Sequence, residues 1–257
     1  MLELCMELVV ALGAFAPAPE PPAPKKLDRV ADPSPELRSE LHKFDSEYRN
    51  GTEKKFAELE KLAEELAKRF PEKGDQARIW YEFAHVAGQS GIDKHAERVK
   101  KYATRCLAIS RDPLQRGRMW SLLASAVDLS GTAFPEGRRE ASEILLTGYI
   151  EMLAQELPEK APELPGVDKF DVDGDPVAEA QARAQHAAQM AARQQAEFTR
   201  DLVDRRDTLV VQLRDLFKPE PKRHGRNPEG PDELRALAKK KRMTEQQVNV
   251  LLEKVTK

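Results

Sequence analysis

The chain has 257 residues with 42 Lys+Arg and 44 Asp+Glu, a formal net charge of −2, so no global charge excess draws it to nucleic acid or an anionic membrane. Apolar residues make up 40% and charged ones 33%, which is too apolar for wholesale disorder. Two cysteines cannot build a disulfide scaffold, and no apolar run reaches the roughly 18–20 residues of a spanning helix.

Residues 1–34 read as a segment outside the core. Leu8–Ala16 is an apolar run within the length of a secretory h-region, and Ala14, Ala16 and Ala18 offer small-residue cleavage positions. Pro17–Pro24 is proline-rich and cannot be helical, because proline lacks the donor and clashes with the preceding turn. This pattern predicts a signal peptide with a spacer, and a periplasmic or cell-envelope location. Against it stands an n-region with Glu3 and Glu7 and no Lys or Arg, which leaves a cytoplasmic tail as the alternative.

Residues 35–160 repeat with a period near 40. Arg78, Trp80 and Ala84 recur as Arg118, Trp120 and Ala124, and Ser90-Gly91 recurs as Ser130-Gly131. One shift earlier, Arg38 and Gly51 hold the matching places. Gly51, Gly91 and Gly131 each follow an amphipathic stretch, where glycine ends a helix in the left-handed conformation without steric cost. Beyond each glycine runs an apolar stripe stepping by 3, 4 and 4. In the second unit it is Ala96, Val99, Ala103 and Leu107; in the third it is Ala141, Ile144, Gly148 and Met152, once five extra residues around Thr132–Glu136 are allowed. Three antiparallel helical hairpins over about 35–71, 75–112 and 115–157 follow.

At Trp80, Phe83, Ala84, Ala96 and Ala103, and again at Trp120, Leu123 and Ala124, the chain resembles the tetratricopeptide-repeat family of helical hairpins. The likeness covers about half the chain. It departs from that family in its longer period, in Ala87 at the tyrosine position and in Glu40 at the first tryptophan position, so a plain bundle or another α-solenoid stays open. The resemblance implies a scaffold that holds peptides or partner proteins in a groove, and it implies no chemistry. Both tryptophans are expected to pack between helices.

Residues 161–175 read as a linker. Asp171, Asp173 and Asp175 suggest a calcium loop, but the register starting at Asp171 puts Pro176 at the required glycine and Ala182 at the bidentate glutamate. No metal site is expected there. Asp175 and Pro176 instead suit the cap and first position of a helix. Residues 176–218 form that long helix, with no glycine or proline between Val177 and Phe217 and a length of roughly 60 Å. Its apolar line runs through Ala180, Ala184, Ala187 and Ala191, then Phe198, Leu202, Leu209, Leu213 and Leu216, with Gln194 and Arg205 interrupting. Arg193/Glu197, Arg200/Asp204 and Asp201/Arg205 are spaced for ion pairs on a solvated face. The leucine-rich half, 198–217, is expected either to fold back on the hairpins or to form a homodimer.

Residues 219–231 are a Pro-rich basic linker, and 232–257 a short C-terminal helical hairpin with a Thr244–Gln247 capping box. Residues 218–257 hold eleven Lys+Arg against six Asp+Glu, with Lys239–Arg242 between the two helices. Aromatic residues are absent from this end, so nucleic-acid binding is disfavoured. Leu234, Leu237, Val248, Leu251 and Leu252 point to a docking hairpin instead.

No phosphate loop, dinucleotide fingerprint, nucleophile elbow or zinc helix motif occurs, and Cys106 lies on an inferred buried stripe. No cofactor is called for. The expectation is an all-α, non-catalytic interaction scaffold. Two alternatives remain: an assembly protein that self-associates through its long helix, and a cytoplasmic regulator whose basic end touches nucleic acid. A polar groove between hairpins favours the first. An exposed apolar seam on the long helix favours the second, and an open Lys239–Arg242 face the third.

Overall fold

The computed structural model describes residues 33–48, 53–88, 95–129, 136–167, 176–217 and 230–256. The inferred signal and spacer, Gly51, Gly91, Gly131, the Thr132–Pro135 insertion, Asp175 and most of the 219–231 linker lie outside the described residues. Every regular element among those described is a helix: α1 (Pro35–Tyr48), α2 (Glu53–Arg69), α3 (Lys73–Ala87), α4 (His95–Ile109), α5 (Pro113–Leu129), α6 (Glu136–Leu153), α7 (Pro176–Phe217), α8 (Pro231–Lys240) and α9 (Glu245–Thr256).

Local chemistry accounts for several helix ends. Ser34 Oγ accepts from the Leu37 amide at 3.2 Å, and Pro35 follows as the first residue of α1. Asp112 caps α5 by accepting from the amides of Leu114 and Gln115 at 2.8 and 3.0 Å. The Thr244 box is reciprocal. The Thr244 amide donates to Gln247 Oε1 at 2.9 Å, and the Gln247 amide donates to Thr244 Oγ1 at 3.3 Å.

Packing follows one rule along the chain. Helix α3 lies against α1 and α2, α5 against α3 and α4, and α7 against α5 and α6. The C-terminal half of α7 therefore sits where the first helix of a further hairpin would sit. Helix α9 covers α7, and α8 reaches α6 and α9. One core gathers Leu59, Ile79, Phe83, Val99 and Tyr102 of the earlier helices. A second gathers Leu145, Tyr149, Leu209 and Leu213 with Leu234, Val248 and Leu251 of the C-terminal hairpin. Trp120 and Ile144 touch both cores.

Trp80 and Trp120 occupy matching places in α3 and α5 with different surroundings. Trp80 is 7% exposed, stacked on Tyr102 with ring centroids 6.0 Å apart, and Arg105 lies over its ring at 4.7 Å. Trp120 is half-buried and donates Nε1–H to Glu151 Oε2 at 2.8 Å. A Cβ at position 148 would lie 2.7 Å from Trp120 Cβ, so the indole base closes directly on Gly148. Of the other repeat positions, Ala84, Ala103, Ala124 and Ala141 are buried, Ala96 is half-buried and Arg38 is exposed.

Helix α7 is continuous and packs in two ways. Ala180, Ala184, Ala187 and Ala191 are exposed, whereas Leu202, Val203, Leu209, Val210, Leu213 and Leu216 are buried. Alanine offers one methyl, too little to hold a helix down; leucine offers several times more apolar area. The seam expected to pair two copies through 198–217 is thus occupied within the chain, and Val211, 41% exposed, is the large aliphatic residue left outside it. The charge reading of α7 needs correction at two places. Arg193 pairs with Glu197 at 3.0 Å, but no ion pair joins Arg200 to Asp204 or Arg205 to Asp201. Arg206, which the pattern did not single out, is buried and donates to the carbonyls of Pro158 and Glu159 at 2.9 and 2.8 Å, fastening the stretch after α6 to α7.

Candidate functional site

The first helices of the hairpins share one side of the molecule, and there α3, α5 and α7 leave an open cavity of about 380 Å³. Tyr81 and His85 line it from α3, Arg118, Ser121, Leu122 and Ser125 from α5, and Arg205 and Gln212 from α7. A smaller cavity of about 220 Å³ shares Ser125 and Gln212 and continues past Asp128, Arg138 and Asp215. Together they make a groove of mixed character, with a basic end and an end where Ala124, Ala141, Leu145 and Leu216 stand beside Asp128, Arg138 and Asp215.

The recurring arginines of the repeat converge on one ring. The Arg78 guanidinium lies 5.2 Å from the Tyr81 centroid, and Arg118 Nη1 donates to the Tyr81 hydroxyl at 3.1 Å. Tyr81 meets His85 edge-to-face at 4.6 Å. Arg78 also reaches Glu82 at 3.0 Å, whereas Arg118 and Arg205 have no carboxylate within ion-pair distance among the described residues. The stem of Arg205 is wedged against α5, since a Cβ at position 117 would lie 2.6 Å from its Cγ.

Electrostatics at this end are those of unmatched positive charge. Burial lowers the Arg205 pKa and the Arg118 guanidinium lowers it further, while Asp201 acts in the opposite sense from farther along α7. The hydrogen bond to Tyr81 raises that of Arg118. Burial, then Arg118, Arg205 and Arg78, hold the His85 imidazole below its ordinary value, so it is neutral at pH 7. Four buried polar atoms here have no hydrogen-bond partner among the described residues: His85 Nε2, Ser121 Oγ, Arg205 Nε and Gln212 Oε1. Buried polar groups are ordinarily satisfied, and a cluster of exceptions needs an explanation.

Arg118 was singled out by the repeat and Arg205 by its interruption of an apolar seam, but sequence reasoning did not bring them together. Tyr81, His85, Ser121, Ser125 and Gln212 were missed. The available signal was an arginine standing in a leucine line, which marks a polar place on an otherwise packed face.

Elsewhere the chemistry is structural. The Cys106 thiol is buried and pushed up to about 12 by that burial. Among the described residues no three His, Cys, Asp or Glu side chains gather as metal ligands, and no helix is long and apolar enough to cross a membrane. Within the basic run, Lys239 pairs with Glu245 at 3.3 Å and Lys240 with Glu143 at 3.4 Å, so acids stand against it. Comparison with protein-family models, with curated proteins and with solved structures finds no match to this chain.

Proposed function

We propose that this protein is a non-catalytic helical-repeat scaffold that holds a segment of a partner protein in the groove along α3, α5 and α7. The observation that carries the reading is the groove itself, with four buried polar atoms that lack partners among the described residues. An extended peptide brings its own amides and carbonyls and can satisfy such groups in one direction or the other. Burial of the 198–217 seam and pairing of Lys239 and Lys240 favour this reading over self-association through that seam and over nucleic-acid contact. A cell-envelope location is part of the proposal and rests on residues 8–24.

The test is a photo-crosslinking side chain placed at Ser125, in the groove, and separately at Ala108, exposed on α4. In native cells the Ser125 probe should capture a discrete protein product that the Ala108 probe does not. Equal labelling from both positions, or none from Ser125, would overturn the reading.

A further inference from the structure

We propose that the occupant of this groove is an acidic peptide segment, with one carboxylate seated between Arg118 and Arg205. The inference rests on the scaffold reading and names the chemistry of its ligand. How this protein treats its other inward-facing arginines is the starting point. Arg116 meets Glu151 with two hydrogen bonds, at 2.9 and 2.6 Å. Arg206 is held by two carbonyls and by Asp207 at 2.9 Å. Arg138 donates to the Leu216 carbonyl at 3.0 Å. Arg205 differs from these three: it is half-buried, wedged by its stem against Gly117, in the same cavity as Arg118, and without an anionic partner among the described residues.

Placing two like charges together beside a neutral imidazole is unfavourable unless something negative completes the arrangement. A carboxylate suits the planar donor fork of arginine and can accept from both guanidiniums. Ser121, 8% exposed as a residue, lines the same cavity, and its hydroxyl has no partner among the described residues. The groove also gives the peptide a direction. Asp128 and Asp215 line the far end, so the acidic residue belongs at the Arg118–Arg205 end.

The experiment selects from a display library of random twelve-residue peptides on the immobilised full chain, then measures binding of the enriched peptides by fluorescence anisotropy. Enriched peptides should carry at least one Asp or Glu in common, and their affinity should fall as salt is raised. Arg118→Gln should weaken them by about twofold to fivefold, as loss of one partner of a solvent-accessible ion pair does. Arg118 is exposed, so this variant should keep the helical circular dichroism of the parent. Arg205→Met, which keeps the stem against Gly117, should weaken binding likewise. Enrichment of neutral or basic peptides, or indifference of acidic ones to both substitutions, would overturn the acidic ligand while leaving the scaffold intact. Selection of no peptide at all would overturn both.

Discussion

Gln76 and Arg116 stand at the same place in successive hairpins, and each reaches back to the carbonyl nine residues before it. Gln76 Nε2 donates to the Ala67 carbonyl at 2.9 Å, and Arg116 Nη1 donates to that of Leu107. Both acceptors lie in the last turn of a helix, where carbonyls have no partner in the helix itself. At Ala67 the shortage is built in, because the residue four further on is Pro71, which has no N–H. Gln76→Leu removes the donor and leaves a half-buried carbonyl unsatisfied, a loss of about 1–2 kcal/mol. Arg116→Ala should cost more, about 2–4 kcal/mol, because Glu151 also loses its bidentate partner. Urea unfolding at constant m-value measures both, and equal losses would show that the Glu151 contact contributes nothing.

Gly148 is the place where the preceding hairpin has Ala103, and Trp120 sets the difference. Gly148→Ala gains about 1 kcal/mol of helix propensity but forces a methyl against the Cβ and Cγ of a tryptophan held in two cores. Overpacking of this kind costs about 1–3 kcal/mol, so a net loss near 1 kcal/mol is expected. A rise in melting temperature would mean that α5 and α6 separate more easily than their packing implies.

Acidification should weaken the fold through His85. Its pKa is depressed in the folded chain by burial and by Arg118, Arg205 and Arg78, and returns to about 6.5 on unfolding. Below that value the unfolded chain binds the extra proton, so stability falls as pH drops from 7 toward 5.5. His85→Gln should flatten this part of the profile, measured as the urea midpoint at half-unit steps.

The two halves of α7 should respond oppositely to charge. Leu209 is fully buried, and Leu209→Asp places a carboxylate among leucines with no partner, a loss of more than about 4 kcal/mol. Ala188 is exposed, so Ala188→Asp should cost only about 0.7 kcal/mol of helix propensity. Comparable melting temperatures for the two variants would contradict the division of the helix.

The helices were legible because their signals are local. Proline at helix starts, the Thr244 box and the stripes ending at Leu107 and Met152 need no knowledge of neighbours. The all-α class and the long helix followed from these. The fate of the 198–217 seam was not legible, since an apolar line looks the same whether its partner is the same chain or another. The anchoring by Arg206 was not legible for a related reason: what receives its hydrogen bonds is the Pro158–Glu159 backbone, and carbonyls leave no trace in a residue pattern. The groove was hidden further still, because its residues come from three helices and meet only after the hairpins stack.

Helix α7 belongs to two places at once. Its first half leaves Ala180, Ala184, Ala187 and Ala191 exposed, and the same unbroken helix carries Arg205 and Gln212 in the groove wall. Continuous helix thus joins the exposed alanines to the groove wall that bears Arg205, while Arg118 stands on a separate helix, α5.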